Sequence, residues 1–149
     1  MLYQQKVIIK GIDVSTIIKS FHDRKFVEFL ISNQPVRINN WDGIENEKEA
    51  SFSFWFFGWR NIRVVHSNYE ASNTSLFFED SGLQLPFGLT KWNHHHIVQE
   101  QNGNVVIIDK VHMESNSLLL RPFIYLIMLF PIVIRKFTYR IWFYYLRNN

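Results

Sequence analysis

The residues best able to do chemistry in this chain gather between Phe78 and Met113, FEDSGLQLPFGLTKWNHHHIVQEQNGNVVIIDKVHM. His94 and His96 are separated by one residue, and Asp109 follows in the next strand-like segment. A histidine held by a carboxylate is a plausible general base, because the carboxylate fixes the tautomer and raises the basicity of the ring. Two histidines at i and i+2 of a strand can also reach one metal ion, with Asp109 or Asp80 as a third ligand. The reading preferred from sequence is plainer. His96 donates to Asp109, both are satisfied polar groups in a partly wet cavity, and no metal and no cofactor is expected.

That constellation depends on strand register. Asn102-Gly103 is the strongest short hairpin signal in the sequence. With those two residues as the loop, Gln101 pairs with Asn104, His96 lies opposite Asp109, His94 opposite Val111, and Trp92 opposite Met113. Side chains alternate along strands, so Trp92, His94, His96 and Asp109 share one face and His95 takes the other. A slip of one residue would flip a whole strand and dissolve the site.

The elements that must position these groups read as follows. A first strand is expected over residues 2–9, then a helical region from Ser15 to about Ser32, capped by Asp13 or Ser15 and ended by Pro35. Strands are expected at Val36–Trp41, Glu47–Phe57, Asn61–Tyr69 and Ser75–Asp80, ahead of the hairpin, with turns at Asp42-Gly43 and Ser72-Asn73. Phe52, Phe54 and Phe56 would share one face. The tail from Asn116 to Asn149 is helical in pattern, with Pro122 suited to a first turn and Pro131 placed to kink or split the helix. Its apolar run, Pro122 to Ile134, is shorter than the about 20 residues a spanning helix needs, so a buried helix is expected and stable membrane insertion is not. Beyond Arg135, Ile134, Phe137, Ile141 and Tyr145 can share one face, with Lys136, Arg140 and Arg147 on another. A first strand, two small helices, a meander and a long last helix make an α+β arrangement in which a curved antiparallel sheet wraps around that helix.

Composition narrows the classes. The 149 residues suit one domain with a real core, and 47% of them are hydrophobic. There is no cysteine, which excludes a disulfide scaffold and thiolate metal sites and suits a reducing cytoplasm. The N-terminal residues read as a strand rather than a signal peptide. A net charge of +3 without a wide basic stripe gives no reason to expect a nucleic-acid partner. No nucleophile elbow, phosphate loop or dinucleotide fingerprint is present.

The order of elements and the run Phe78, Asp80, Pro86-Phe87, Trp92-x-His94-x-His96, Asp109 and Val111, completed by Arg135-Lys136-Phe137-Thr138-Tyr139-Arg140, resembles the SRPBCC superfamily, the START-like helix-grip proteins. The similarity is to an uncharacterised bacterial ligand-binding branch, polyketide cyclase-like. Gly82 and Leu85 stand where many of those proteins carry glutamine and glycine. The resemblance implies a helix-grip fold with a hydrophobic cavity. It also implies a ligand site drawn from Phe78, Asp80, Phe87, Trp92, His94, His96 and Asp109. The function expected is binding of a hydrophobic small molecule (a lipid, polyketide or aromatic metabolite) between sheet and last helix. The alternatives are a cyclase- or dehydratase-type enzyme with His96 as base and Asp109 as its orienter, and a membrane-surface or protein-interaction module acting through the basic aromatic helix. Ligand identity and oligomeric state are not set by the sequence.

Overall fold

The structure is a computed structural model that describes residues 1–148. The elements run β1 (Leu2–Ile9), α1 (Val14–Phe21), α2 (Arg24–Ile31), β2 (Val36–Trp41), β3 (Glu49–Trp55), β4 (Trp59–Ala71), β5 (Ser75–Gln84), β6 (Leu89–Gln101), β7 (Asn104–Ser115) and α3 (Arg121–Asn148). All seven strands form one antiparallel sheet in the order β1-β7-β6-β5-β4-β3-β2. The meander from β2 to β7 is thus closed on one side by the first strand.

The hairpin register is the expected one. Gln101 pairs with Asn104, His96 with Asp109, His94 with Val111 and Trp92 with Met113. Asn102 and Gly103 both have positive φ, 52° and 71°, as a type I′ two-residue turn requires. Strand lengths differ from expectation at several ends. β4 and β5 run on to Ala71 and Gln84, and β3 stops at Trp55, where Phe57 and Gly58 turn the chain with positive φ. In β5, a Cβ on Gly82 would lie 2.6 Å from Leu85, so glycine here makes room for the Leu85 side chain.

The helical region divides into two. Asp23 interrupts it, and its carboxylate accepts from the Lys25 backbone N–H at 2.9 Å to cap α2. Asp13 sits at the N-cap of α1, but its carboxylate bonds the Ser15 hydroxyl rather than a helix N–H.

The long helix departs most from the sequence reading. It starts at Arg121 rather than Asn116 and continues unbroken through Pro131. Nor is it buried all round: Ile124, Met128, Leu129, Ile132, Tyr139 and Phe143 are covered, while Phe123, Leu126, Phe130 and Phe137 are 55–69% exposed. The face of Phe137, Ile141 and Tyr145 points to solvent, not to the sheet. By length and composition α3 could cross a membrane, with 28% of its most apolar window buried.

The core between sheet and helices forms two apolar clusters. One gathers α1, α2 and the end of α3 around Phe21, Phe26, Tyr139 and Phe143. The other joins β3, β4, the start of β6 and the first half of α3 around Val64, Trp92, Met113, Met128 and Ile132. Along the inner face of β6, Trp92 belongs to the second cluster and Val98 to the first. His94 and His96 lie between them.

Candidate functional site

The gap between the two clusters is a polar layer. Sheet register builds it in two cross-strand rows: His66, Asp80 and His94 lie side by side on β4, β5 and β6, and His96, Asp109 and Gln5 on β6, β7 and β1. Arg135 and Tyr139 approach from α3. His66, His94, His96, Asp109 and Gln5 are at most 5% exposed.

Asp109 is the hub. His94 Nε2 lies 3.0 Å from its Oδ1, the Tyr139 hydroxyl donates to the same oxygen at 3.3 Å, and Gln5 Nε2 donates to Oδ2 at 2.8 Å. The guanidinium of Arg135 stands 3.7 Å from Oδ1. Asp80 is a second centre. His96 Nε2 lies 3.0 Å from Oδ2 and His94 Nδ1 lies 3.8 Å from it, while His66 Nε2 is 3.1 Å from Oδ1. Neither the His66 Nδ1 nor the His96 Nδ1 has a hydrogen-bond partner. Gln5 also donates to the Ile132 carbonyl at 2.6 Å, which ties the sheet to α3.

The pairing corrects the sequence reading in one respect. His96 does lie opposite Asp109, but its Nδ1 is 3.6 Å away and its bonded partner is Asp80. The histidine bonded to Asp109 is His94. The His96 ring is clamped instead, stacked on Phe78 at 4.2 Å and met edge-on by Phe21.

Burial would raise the pKa of both carboxylates. For Asp80 the electrostatic pull of His96, together with the ring contacts of His66 and His96, outweighs burial and holds it well below the usual carboxylate range. For Asp109 the His94 contact and the Arg135 charge do the same. Burial, aided by the neighbouring His96, brings His94 down to about 4 despite Asp109, so its imidazole is neutral at pH 7. Burial pushes the Tyr139 phenol up, with the Asp109 charge adding to it. Arg135 is raised because Tyr139, Asp109 and Asp80 outweigh its burial.

Beside this layer is a cavity of ≈ 90 Å³ between the sheet and the middle of α3. Phe52, Phe54, Val64, Trp92, Met128 and Ile132 form much of its apolar wall, and Asp80, His94 and Arg135 form its polar floor. A second hollow, ≈ 250 Å³, lies toward the surface and shares Val36, Phe54, Ile127 and Pro131 as walls. Of the residues expected at a ligand, Asp80, Trp92 and His94 line the inner cavity. Phe78, His96 and Asp109 stand behind the floor, and Phe87 sits at the β5–β6 turn, packed on Phe54 and Phe56. His95 faces outward, paired with Glu79 at 3.3 Å.

Sequence reasoning missed His66, Gln5 and the inward turn of Arg135. For His66 a signal existed: it continues the alternating inner face of Ile62 and Val64. Gln5 sits likewise between Tyr3 and Val7.

No protein-family model and no curated protein matches the chain. Solved structures do. Hypothetical protein jhp0584 from Helicobacter pylori is 16% identical with a TM-score of 0.67, over 95% of this chain and 87% of that one. TTHA0849 from Thermus thermophilus is 9% identical with a TM-score of 0.63, over 94% and 96%. Ginseng major latex-like protein 151 from Panax ginseng is 12% identical with a TM-score of 0.59, over 93% and 95%. At such identities these likenesses show a shared fold, the helix-grip arrangement of curved sheet and long C-terminal helix.

Proposed function

We propose that this protein encloses an apolar small molecule, of the lipid, polyketide or aromatic-metabolite kind, between the sheet and α3. The observation that carries the reading is the inner cavity itself, with apolar walls and a floor of Asp80, His94 and Arg135. Pockets of this build bury a greasy body and fix its orientation with a few polar groups. His96 and Asp109 serve by holding the floor in place, and Phe78 by clamping His96.

Size limits the ligand. Pockets for drug-sized molecules span about 300–1,000 Å³, well above the ≈ 90 Å³ of the inner cavity. A larger ligand therefore requires the shared wall of Val36, Phe54, Ile127 and Pro131 to yield, which would join the inner cavity to the outer hollow. Pro131 helps, because it gives no hydrogen bond to the Ile127 carbonyl and loosens the helix there.

The test is a fluorescence titration with anilinonaphthalene sulfonate, a ring system with one anionic group, against wild type and Val64→Phe. Val64 is buried in the cavity wall. The larger side chain should weaken binding at least tenfold at a stability cost of about 1–3 kcal/mol. Equal affinity in the two proteins would place the probe elsewhere. In an enzyme of cyclase or dehydratase type, the histidine reaching the substrate would be His94, since His96 is not on the cavity wall.

A second reading has its own observation. Leu118, Leu119, Phe123, Leu126 and Phe130 leave a continuous exposed apolar stripe, and Trp55 and Phe57 lie exposed at the β3–β4 turn nearby. With Arg140 and Arg147 exposed further along α3, this is the pattern of an element lying in an anionic bilayer surface. Flotation with phosphatidylserine vesicles at low and high salt tests it. Leu126→Ser with Phe130→Ser should abolish flotation, and a wild type that never floats would dispose of the reading.

A further inference from the structure

In the polar floor the nitrogens of two rings converge on one carboxylate oxygen. His94 Nε2 faces a carboxylate oxygen of Asp109 at 3.0 Å, so that nitrogen carries the proton and donates. In the neutral ring, Nδ1 is then a bare lone pair. It points toward Asp80 Oδ2, itself an electron-rich oxygen, 3.8 Å away. His96 Nε2 meets the same oxygen at 3.0 Å, while its unpartnered Nδ1 lies 3.6 Å from Asp109 Oδ1. One carboxylate oxygen, Asp80 Oδ2, is thus faced by a nitrogen from each of two neighbouring rings, at 3.0 and 3.8 Å.

We propose that Asp80, His94 and His96 form a binding site for a divalent first-row transition ion of the zinc type. The three donor atoms, one from each residue, all lie within 4.8 Å of one another. Tetrahedral bonds of about 2.0–2.1 Å put neighbouring ligand atoms about 3.4 Å apart. The separations of 3.0 and 3.8 Å at Asp80 Oδ2 bracket that value. The ion binds Asp80 Oδ2, His94 Nδ1 and His96 Nε2, and any proton that His96 Nε2 had shared with Asp80 leaves to solvent. Asp109 then accepts from the far nitrogen of His94, 3.0 Å away, the outer arrangement that orients metal-bound histidines, with the far nitrogen of His96 3.6 Å from the same oxygen. His66, 3.1 Å from Asp80 Oδ1, steadies the oxygen that does not ligate.

Two imidazoles with one carboxylate and no thiolate favour a transition ion over calcium or magnesium. Asp80 and His94 also line the cavity, so the fourth position opens toward it, where water or a donor atom of a bound molecule completes the shell. The site does not depend on an apolar molecule filling the cavity, because its three ligands come from the sheet.

The experiment is a cobalt(II) titration of untagged, chelator-treated full-length protein, followed by visible absorption and then zinc displacement. The expected result is intense four- or five-coordinate bands that saturate at one equivalent and are bleached by one equivalent of zinc. Asp80→Asn and His94→Gln should each weaken binding at least 100-fold, Asp109→Asn about 10- to 100-fold, and His95→Gln should change nothing. Should the ligand variants fail to fold by circular dichroism, nitrogen-15 histidine spectra of wild type with zinc decide: His94 Nδ1 and His96 Nε2 should show as the ligating nitrogens. A weak octahedral spectrum, saturation above one equivalent, or bands surviving in folded His94→Gln would overturn the site.

Discussion

Between pH 7 and pH 5 the metal-free protein should lose about 2 kcal/mol of stability through His94 alone. The His94 pKa falls from 6.5 to about 4 in the folded protein, because the ring is buried and has His96 as a neighbour. Between those values the unfolded chain binds a proton that the folded chain refuses, so stability falls as the pH falls. Applied to the two pKa values, the linkage relation gives a loss of about 2 kcal/mol by pH 5, out of a total that is about 5–15 kcal/mol for an ordinary domain. Asp80 and Asp109 act in the same direction but lower. Their pKa values are depressed below 3.8, so their contribution is complete above that value and lost only as the pH drops beneath it. Urea unfolding in chelator, followed by tryptophan fluorescence at half-unit pH steps, measures this. With a slope of about 1–3 kcal/mol/M the midpoint should fall by about 1 M from pH 7 to pH 5. The difference between wild type and His94→Gln isolates the one ring from the other histidines. Parallel pH profiles for the two proteins, or an NMR titration of His94 near 6.5, would refute the reasoning.

Removing the hub charge should be costly: Asp109→Asn strands Arg135 and the histidines, and urea unfolding should show a loss of about 3 kcal/mol. Tyr139→Phe removes the 3.3 Å hydroxyl bond to Asp109 and the hydroxyl's contact with Arg135, so about 1 kcal/mol is expected in the same assay. Gly103→Ala forces an alanine to φ 71° and should lower stability by about 1 kcal/mol without altering the Trp92–Met113 pairing seen by NMR contacts. Phe137→Ser, on the exposed face of α3, should leave the urea midpoint within about 0.5 kcal/mol of wild type. A large loss there would mean that this face is covered.

The hairpin was legible because its information is local. Asn102-Gly103 fixes the loop, alternation then fixes the faces, and Trp92, His94, His96 and Asp109 share the inner side. The ring partners were not legible. They depend on diagonal reach and on which strand lies beyond β6, so His94 rather than His96 bonds Asp109 and Asp80 draws both rings. Arg135 and the rotation of α3 were hidden for another reason. From Pro122 to Ile134 the helix is apolar on every side, so that stretch does not distinguish the face against the sheet from the face in solvent. The result inverts the usual rule, with Arg135 turned inward and Phe137 outward.

The central claim, an apolar ligand over a polar floor, is tested most directly at Met128. The chain has three methionines, and Met128 alone of them lines the inner cavity. Methyl-labelled methionine spectra during titration with anilinonaphthalene sulfonate should show a ring-current shift at Met128 that saturates at one equivalent, with Met1 unmoved. Val64→Phe should abolish that shift. A Met128 signal that stays still while probe fluorescence rises would contradict the account, because the molecule would then be bound outside the cavity.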